Sequence, residues 1–237
     1  MKKTAAAGTT ARSIAVERIA AESLPLFEAR VTENIEVAPG VYLLKYPRTE
    51  DFVPGQVVGV TVDRRIVPRF YSIASGTDEP FIDLLYDVLP EGELTPLLSR
   101  LGSGDLLLVS HATGGFVDTA DPAWWIATGT GIAPFVSMAK SGLAGAKRLV
   151  HGSRTLAGFH FRKYFTNLLA DRYICCSSQE SAEGVFAGRL TEWLSMQSLP
   201  ADQRYLLCGS TRMVVDVRDL LIGKGVPFAQ VLAEIYF

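Results

Sequence analysis

Between Phe27 and Val117 the chain is a series of short apolar–polar alternations broken by turn signals. Phe27–Thr32, Val41–Tyr46, Val57–Val62, Phe70–Ser75, Phe81–Val88 and Asp105–Ser110 carry the period-two pattern of strands. Pro39-Gly40, Pro54-Gly55, Gly76-Thr77-Asp78 and Gly102-Ser103-Gly104-Asp105 punctuate them. Strands at this spacing predict an antiparallel β-barrel, interrupted by one helix over Thr95–Leu101. After Asp118 the rhythm changes, and apolar runs alternate with helical patterns. Strands are predicted at Trp124–Thr128, Arg148–Gly152, Tyr173–Ser177, Tyr205–Cys208 and Gln230–Tyr236. Helices are predicted from Pro134, near Phe159–Leu169, over Leu190–Met196 and over Arg212–Ile222. Alternating β and α predicts a doubly wound parallel sheet covered on both faces, with ligands beyond the carboxyl ends of its strands. The expected organisation is an N-terminal arm over residues 1–24, a β-barrel domain over 25–118 and an α/β domain over 119–237. Asp121-Pro122 marks the turn near the boundary.

Composition narrows the function classes. The 237 residues are 48% hydrophobic and 20% charged, enough for a sizeable core. A net charge of −2 gives no global field for nucleic acid. The three cysteines, Cys175, Cys176 and Cys208, make neither a disulfide framework nor a metal-type spacing, so no metal is expected. They suit a reducing, cytoplasmic compartment. Adjacent Cys175 and Cys176 should lie on opposite faces of a strand. No run approaches a membrane span. Residues 1–22 lack the apolar core of a secretory signal and read as an arm, with a helix over Arg12–Glu22.

Several short motifs offer chemistry. In Arg69-Phe70-Tyr71-Ser72 a strand puts Arg69 and Tyr71 on one face. The guanidinium can fork onto a phosphate, the phenol can lie on a flat ring and Ser72 can hydrogen-bond beside it. For these four residues alone, a plain surface strand with a half-buried Tyr is the favoured reading. Gly92-Glu93-Leu94-Thr95-Pro96 opens the lone barrel helix, with Thr95 as N-cap and Pro96 in the first turn. Its free amides make an anion site, or simply an ordinary helix start. Gly129-Thr130-Gly131-Ile132-Ala133-Pro134 joins a strand to a helix, the context of a phosphate loop, with a tight turn as the alternative. Cys208-Gly209-Ser210 ends another strand where a cleft should form. Glu234-Ile235-Tyr236-Phe237 closes the chain with two aromatics, which pack either on the core or on a flat cofactor.

With these motifs in this order, the chain resembles the ferredoxin-NADP reductase family, in particular its bacterial type acting on ferredoxin or flavodoxin. The likeness spans Phe27–Phe237 and includes Val109-Ser110-His111-Ala112-Thr113-Gly114-Gly115-Phe116. It implies FAD on the barrel and NADP(H) on the α/β domain. Arg69 would bind the FAD pyrophosphate with amides from Gly92, Leu94 and Thr95. Phe70 is part of the same seat, Tyr71 would stack on the flavin and Ser72 would serve N5. Thr128, Gly129, Thr130, Gly131 and Pro134 would hold the nicotinamide nucleotide, and Arg154 and Arg189 its 2′-phosphate. Cys208 and Glu234 would line the nicotinamide pocket, Tyr236 would cover the flavin and Phe237 would pack on the adenine. Ser72, Cys208, Glu234 and Tyr236 make the expected catalytic set. Gln179 stands where the bacterial type often has arginine.

The activity implied is electron transfer between NADPH and a separate one-electron carrier, ferredoxin or flavodoxin, by a monomer. No cysteine cluster could hold iron–sulfur in this chain. Basic residues at Lys45, Arg48, Arg64 and Arg65 could steer an acidic carrier, or could be solvated surface. Two alternatives are an NADH-dependent reductase component of an oxygenase, favoured by Gln179, and a non-catalytic flavin-binding electron-transfer subunit.

Overall fold

In the computed structural model, residues 24–236 are described. The expected arm over 1–24, apart from its last residue, and the expected role of Phe237 lie outside the described residues.

The barrel half has seven strands: β1 (Phe27–Arg30), β2 (Glu33–Ala38), β3 (Val41–Pro47), β4 (Val57–Thr61), β5 (Arg69–Ser72), β6 (Phe81–Asp87) and β7 (Leu106–Val109). They form two antiparallel sheets, ordered β1-β7-β4-β5 and β2-β3-β6. An isolated bridge, Ile73–Leu84, joins them just beyond β5. Their inward faces enclose one core containing Leu44, Val60, Ile73, Leu84, Leu98 and Leu107. β2 was not expected. Its Ile35 and Val37 are exposed, and a bulge falls between Glu36 and Ala38, so this edge strand has no buried apolar face to announce it.

Helix α1 (Thr95–Leu98) is shorter than the expected Thr95–Leu101. Asn34 Nδ2 donates to the carbonyls of Leu98 (2.9 Å) and Leu101 (3.0 Å), satisfying the acceptors where the helix stops. Thr95 is not the N-cap. That residue is Leu94, and the Thr95 hydroxyl instead accepts from the Leu89 amide at 2.9 Å, tying down the preceding turn.

The second half is a six-stranded, wholly parallel sheet. It comprises β8 (Ala123–Thr128), β9 (Lys147–Ser153), β10 (Tyr173–Ser177), β11 (Val185–Ala187), β12 (Arg204–Ser210) and β13 (Val231–Tyr236). Their order is β11-β10-β9-β8-β12-β13. The chain starts at β8, runs outward to β11, then returns to the other side of β8. The strand order therefore reverses between β8 and β12. Helices α2 (Ala133–Lys140) and α3 (Arg162–Leu169) pack on one face, and α4 (Leu190–Ser195) and α5 (Thr211–Gly223) on the other. Cys175 belongs to the first core and Cys176 to the second, the opposite-face arrangement that adjacent strand positions require. The three-residue β11 was not expected, being too short to show a period.

The α2–α3 face also meets the barrel. Val41, Ala74, Leu85 and Phe116 join its core. Polar contacts pin the same seam: Lys140 pairs with Glu79 (3.0 Å) and Asp83 (3.3 Å), and Thr130 Oγ1 donates to Asp87 (2.8 Å). Beneath the sheet, the buried Asp118 carboxylate accepts from Trp125 Nε1 (2.8 Å) and pairs with Lys147 (3.0 Å) and Arg204 (2.9 Å). This node fastens the chain crossing from one half to the other. Among the described residues, no helix is long and apolar enough to cross a membrane, and no cluster of potential metal ligands exists.

Candidate functional site

Register builds the centre of the site. Cys208 on β12 lies beside Glu234 on β13, and Ser210 lies beside Tyr236. With a side-chain period of two, Cys208, Glu234 and Tyr236 all face the barrel. Ser72, the last residue of β5, faces them. Tyr236 Oη donates to Ser72 Oγ at 2.6 Å, and Ser72 Oγ donates to Glu234 Oε2 at 2.8 Å. The Cys208 thiol lies 3.8 Å from the same carboxylate oxygen. The four expected catalytic residues are thus one hydrogen-bonded group spanning the two halves. Burial pushes the Glu234 carboxyl up, and the Ser72 and Cys208 hydrogen bonds pull it partly back. Burial, reinforced by the nearby carboxylate, pushes Cys208 and Tyr236 far above their ordinary values. The thiol and phenol therefore stay protonated and act as donors rather than bases.

The barrel residues behind Ser72 form a supported platform. Tyr71 is half-buried and meets Tyr86 edge-on at 6.0 Å. Tyr86 stacks on Tyr42 at 5.7 Å and donates to Asn34 Oδ1 at 3.1 Å. Asn34 in turn holds the end of α1, so the strand carrying Tyr71 and the Gly92–Thr95 turn are mechanically linked. Arg69 is exposed and meets no carboxylate among the described residues, leaving its guanidinium free for an anion. Phe70 is also exposed, on the face opposite Arg69 and Tyr71. Leu94 is buried in the barrel core, so only its backbone is available to a ligand.

At the carboxyl ends of β8 and β12 a cleft of about 740 Å³ opens at the point of strand-order reversal. Thr128, Gly129 and Thr130 line it, as do Arg154, Arg189 and Tyr236. Gly131 and Pro134 do not; both are buried beneath it. Gly131 instead permits contact between loop and strand, because a Cβ there would lie 2.4 Å from the Cys208 carbonyl oxygen. Gly209 does the same from the other side: its φ is +144°, and a Cβ would lie 2.3 Å from Thr128 Oγ1. That buried hydroxyl has no partner among the described residues. The Arg189 backbone amide donates to Glu192 at 3.1 Å, but among the described residues neither its guanidinium nor that of Arg154 pairs with a carboxylate, so both groups can receive an anion.

Three findings depart from expectation or add to it. Ser178 lines the cleft and Gln179 does not, whereas Arg212, at the start of α5, does. Its Nε lies 3.6 Å from Asp216 Oδ2. The sequence signal for Arg212 was its place four residues after Cys208, at a helix start facing the cleft. His160 also lines the cleft and was not singled out. The basic set proposed for steering is largely neutralised: Lys45 pairs with Glu33 (3.1 Å), Arg48 with Asp51 (3.2 Å) and Arg65 with Asp63 (2.5 Å). Arg64 donates to the Leu26 carbonyl at 3.4 Å. Asp51 and Asp63 stand beside Arg48 and Arg65 in the sequence, and only Glu33 reaches its partner through the fold.

Residues 125–219 match the family model of the oxidoreductase NAD-binding domain. The chain is 30% identical over 218 residues to ferredoxin–NADP reductase A of Sorangium cellulosum, covering 78% of each. This chain belongs to the ferredoxin–NADP reductase family. A flavodoxin/ferredoxin–NADP reductase of Escherichia coli strain K12 is 31% identical over 195 residues, covering 70% of this chain and 77% of that one. Among solved structures, a ferredoxin NADP+ reductase from Neisseria gonorrhoeae with bound FAD and NADP superposes with a TM-score of 0.81. It is 20% identical and covers 90% of this chain and 99% of its own. Family membership gives the Ser72–Glu234–Cys208–Tyr236 group its context, at the seam of a two-part oxidoreductase.

Proposed function

We infer that this reductase transfers electrons between NADPH and a one-electron carrier protein, ferredoxin or flavodoxin, through FAD. The observation that carries the reading is the chain of hydrogen bonds from Tyr236 through Ser72 to Glu234, with Cys208 beside it. It places the barrel platform and the mouth of the cleft at one point, as a two-ring reaction requires. FAD, when bound, supplies the chemistry that converts a two-electron hydride donor into single-electron steps.

The residues present fit both groups. Residues 25–118 would hold FAD: Arg69 on its pyrophosphate, with the Leu94 and Thr95 amides, Tyr71 against the ring and Ser72 at its reactive edge; the expected Gly92 amide is instead given to the Leu89 carbonyl at 2.8 Å and closes the turn. Phe70 borders the same strand. Residues 119–237 would hold NADP(H) along the cleft, with Thr128, Gly129 and Thr130 at its floor. Gly131 and Pro134 would shape that floor from below, and Arg154 and Arg189 would take the 2′-phosphate. The unpartnered Thr128 hydroxyl and the two free guanidinium groups match a phosphate-bearing nucleotide in donor chemistry. Cys208 and Glu234 would orient the nicotinamide, and Tyr236 would cover the ring that Tyr71 supports. No acid–base step is required of the protein. Glu234 fixes the Ser72 proton, and the buried thiol and phenol hold their own. The reading places the activity in the cytoplasm, where buried thiols stay reduced.

A test is reduction of purified ferredoxin and flavodoxin by the FAD-loaded protein with NADPH. Turnover of either supports the reading. Rapid flavin reduction with no electron delivery to either carrier would replace the carrier assignment.

A further inference from the structure

The chain has three histidines, and they divide by environment. His111 is exposed and paired with Glu50 at 2.5 Å. His151, on β9, is fully enclosed; its Nδ1 lies 3.0 Å from the Tyr173 hydroxyl and its Nε2 has no partner. His160 differs from both. It is only 9% exposed, yet it lines the cleft, and neither ring nitrogen takes a protein partner among the described residues. The wall that carries it is fixed. A Cβ on Gly158 would lie 2.2 Å from Ser153 Oγ, so the turn between β9 and α3 closes tightly. Phe161, with φ of +57°, redirects the chain immediately after His160.

The surroundings define what this imidazole can meet. From β6, Asp87 faces it, and that carboxylate also holds Thr130 of the Gly129–Pro134 loop. From β9 comes neutral His151, from the following turn Arg154, and from α3 Arg162, stacked 5.7 Å over Phe159. The same cleft is also lined by Arg189 at the start of α4, Arg212 and Asp216 on α5, and Tyr236 on β13. Through Asp87, His160 is tied to Thr130 of the Gly129–Pro134 loop, whose strand-to-helix setting is that of a phosphate loop.

We propose that His160 binds the pyrophosphate of the dinucleotide as an imidazolium, so that docking draws a proton from solvent onto its ring. This rests on the reading of the cleft as an NADP(H) site. The buried ring is held neutral in the free protein: burial pushes its pKa down, and Asp87 only partly restores it. A docked phosphate adds the opposite charge that burial alone lacks, and the bound pKa rises. Affinity must then increase as pH falls through the histidine range.

The experiment is titration calorimetry of NADP+ into the FAD-loaded protein and its His160→Gln and His160→Asn variants, in two buffers of different ionisation heat near pH 7. The expected result is proton uptake by the wild type that both variants lose. Wild-type affinity should also gain about threefold over the variants between about pH 8 and about pH 6, the part of one unit of differential pKa that is realised above the lowered free-state value. Because every protein meets the same ligand, titration of the 2′-phosphate cancels in the comparison. Adenosine 2′-phosphate, which keeps the 2′-phosphate and has no 5′-phosphate, should give no such difference; an equal difference would overturn the pyrophosphate assignment. Equal proton uptake by wild type and variants would overturn the role of His160 alone. No NADP+ binding by any of the proteins, with FAD bound, would overturn the cleft reading as well. Should the variants not fold, the wild-type His160 proton resonance, titrated with and without NADP+, reports the same shift, and an unmoved titration overturns the proposal.

Discussion

Substituting Gly131 by alanine adds one methyl group at the tightest point of the site. Its Cβ would stand 2.4 Å from the Cys208 carbonyl oxygen, 2.6 Å from the Cys208 carbonyl carbon and 2.7 Å from Gly209 Cα. All three are backbone atoms, so no side chain can swing away. Ordinary contact needs about 3.5 Å, and the loop and the end of β12 must therefore part by roughly 1 Å. Overpacking of this kind costs about 1–3 kcal/mol, and a purely backbone clash belongs in the upper half of that range. For a chain of this size that lowers Tm by about 4–12 °C. The functional effect is larger. Cys208 and Gly209 move relative to Ser72, and a 1 Å misplacement of reacting groups costs about 10²-fold. Anaerobic stopped-flow reduction of the bound flavin by NADPH measures this directly, with flavin content expected to stay at the wild-type level because the barrel is untouched. Gly142→Ala is the control. Its φ is +87° with nothing within 4 Å of the added carbon, so it carries left-handed strain without a clash and should leave flavin reduction unchanged. A Gly131→Ala protein with wild-type Tm and wild-type flavin reduction would refute the reasoning.

Glu234→Gln separates stability from function. Burial holds this carboxyl above its ordinary 4.5, so the folded state binds its proton more tightly than the unfolded chain. The stabilisation is full below the unfolded value and is lost as pH rises through the folded one. The variant should therefore melt above wild type near neutral pH, with the gap closing in acid, while flavin reduction by NADPH slows; a constant gap across pH would contradict this. Lys147→Met removes a buried cation from the Asp118 node. It should cost about 3–5 kcal/mol, or about 6–20 °C in Tm, without altering the flavin spectrum; thermal denaturation checks it, and an unchanged Tm would argue against the node. Arg154→Ala should weaken NADPH about 10- to 100-fold relative to NADH, the worth of one charged hydrogen bond. Equal losses for both coenzymes in steady-state kinetics would remove Arg154 from the 2′-phosphate site.

Where a residue's role follows from strand period and turn chemistry, the sequence already contained it. Buried strands such as Trp124–Thr128 and Tyr205–Cys208 announce themselves by unbroken apolar runs, and the loop after β8 by its glycines. The grouping of Ser72 with Glu234 depends on contacts between residues 162 positions apart. No local pattern encodes that separation, and only the resemblance to a family brought those residues together. What escaped was set by tertiary partners. β2 turns its apolar residues outward, and Thr95 spends its hydroxyl on Leu89 rather than on a helix end. Lys45 meets Glu33 only across the β2–β3 pair, whereas Arg48 and Arg65 are matched by Asp51 and Asp63, two or three residues away, which the sequence displayed. His160 lay in a stretch read simply as helix, and the left-handed turn at Phe161 ends the preceding segment there and points the imidazole at the cleft.

With flavin on the barrel, NADPH in the cleft should pass a hydride to it. Anaerobic mixing of the purified flavin-loaded protein with NADPH or NADH at matched concentrations, followed by flavin absorbance, tests it most directly. Both coenzymes should bleach the flavin, NADPH much faster, because Arg154 and Arg189 reward the 2′-phosphate. Faster bleaching with NADH would contradict the two-arginine site, and no bleaching by either coenzyme with flavin bound would contradict the account itself.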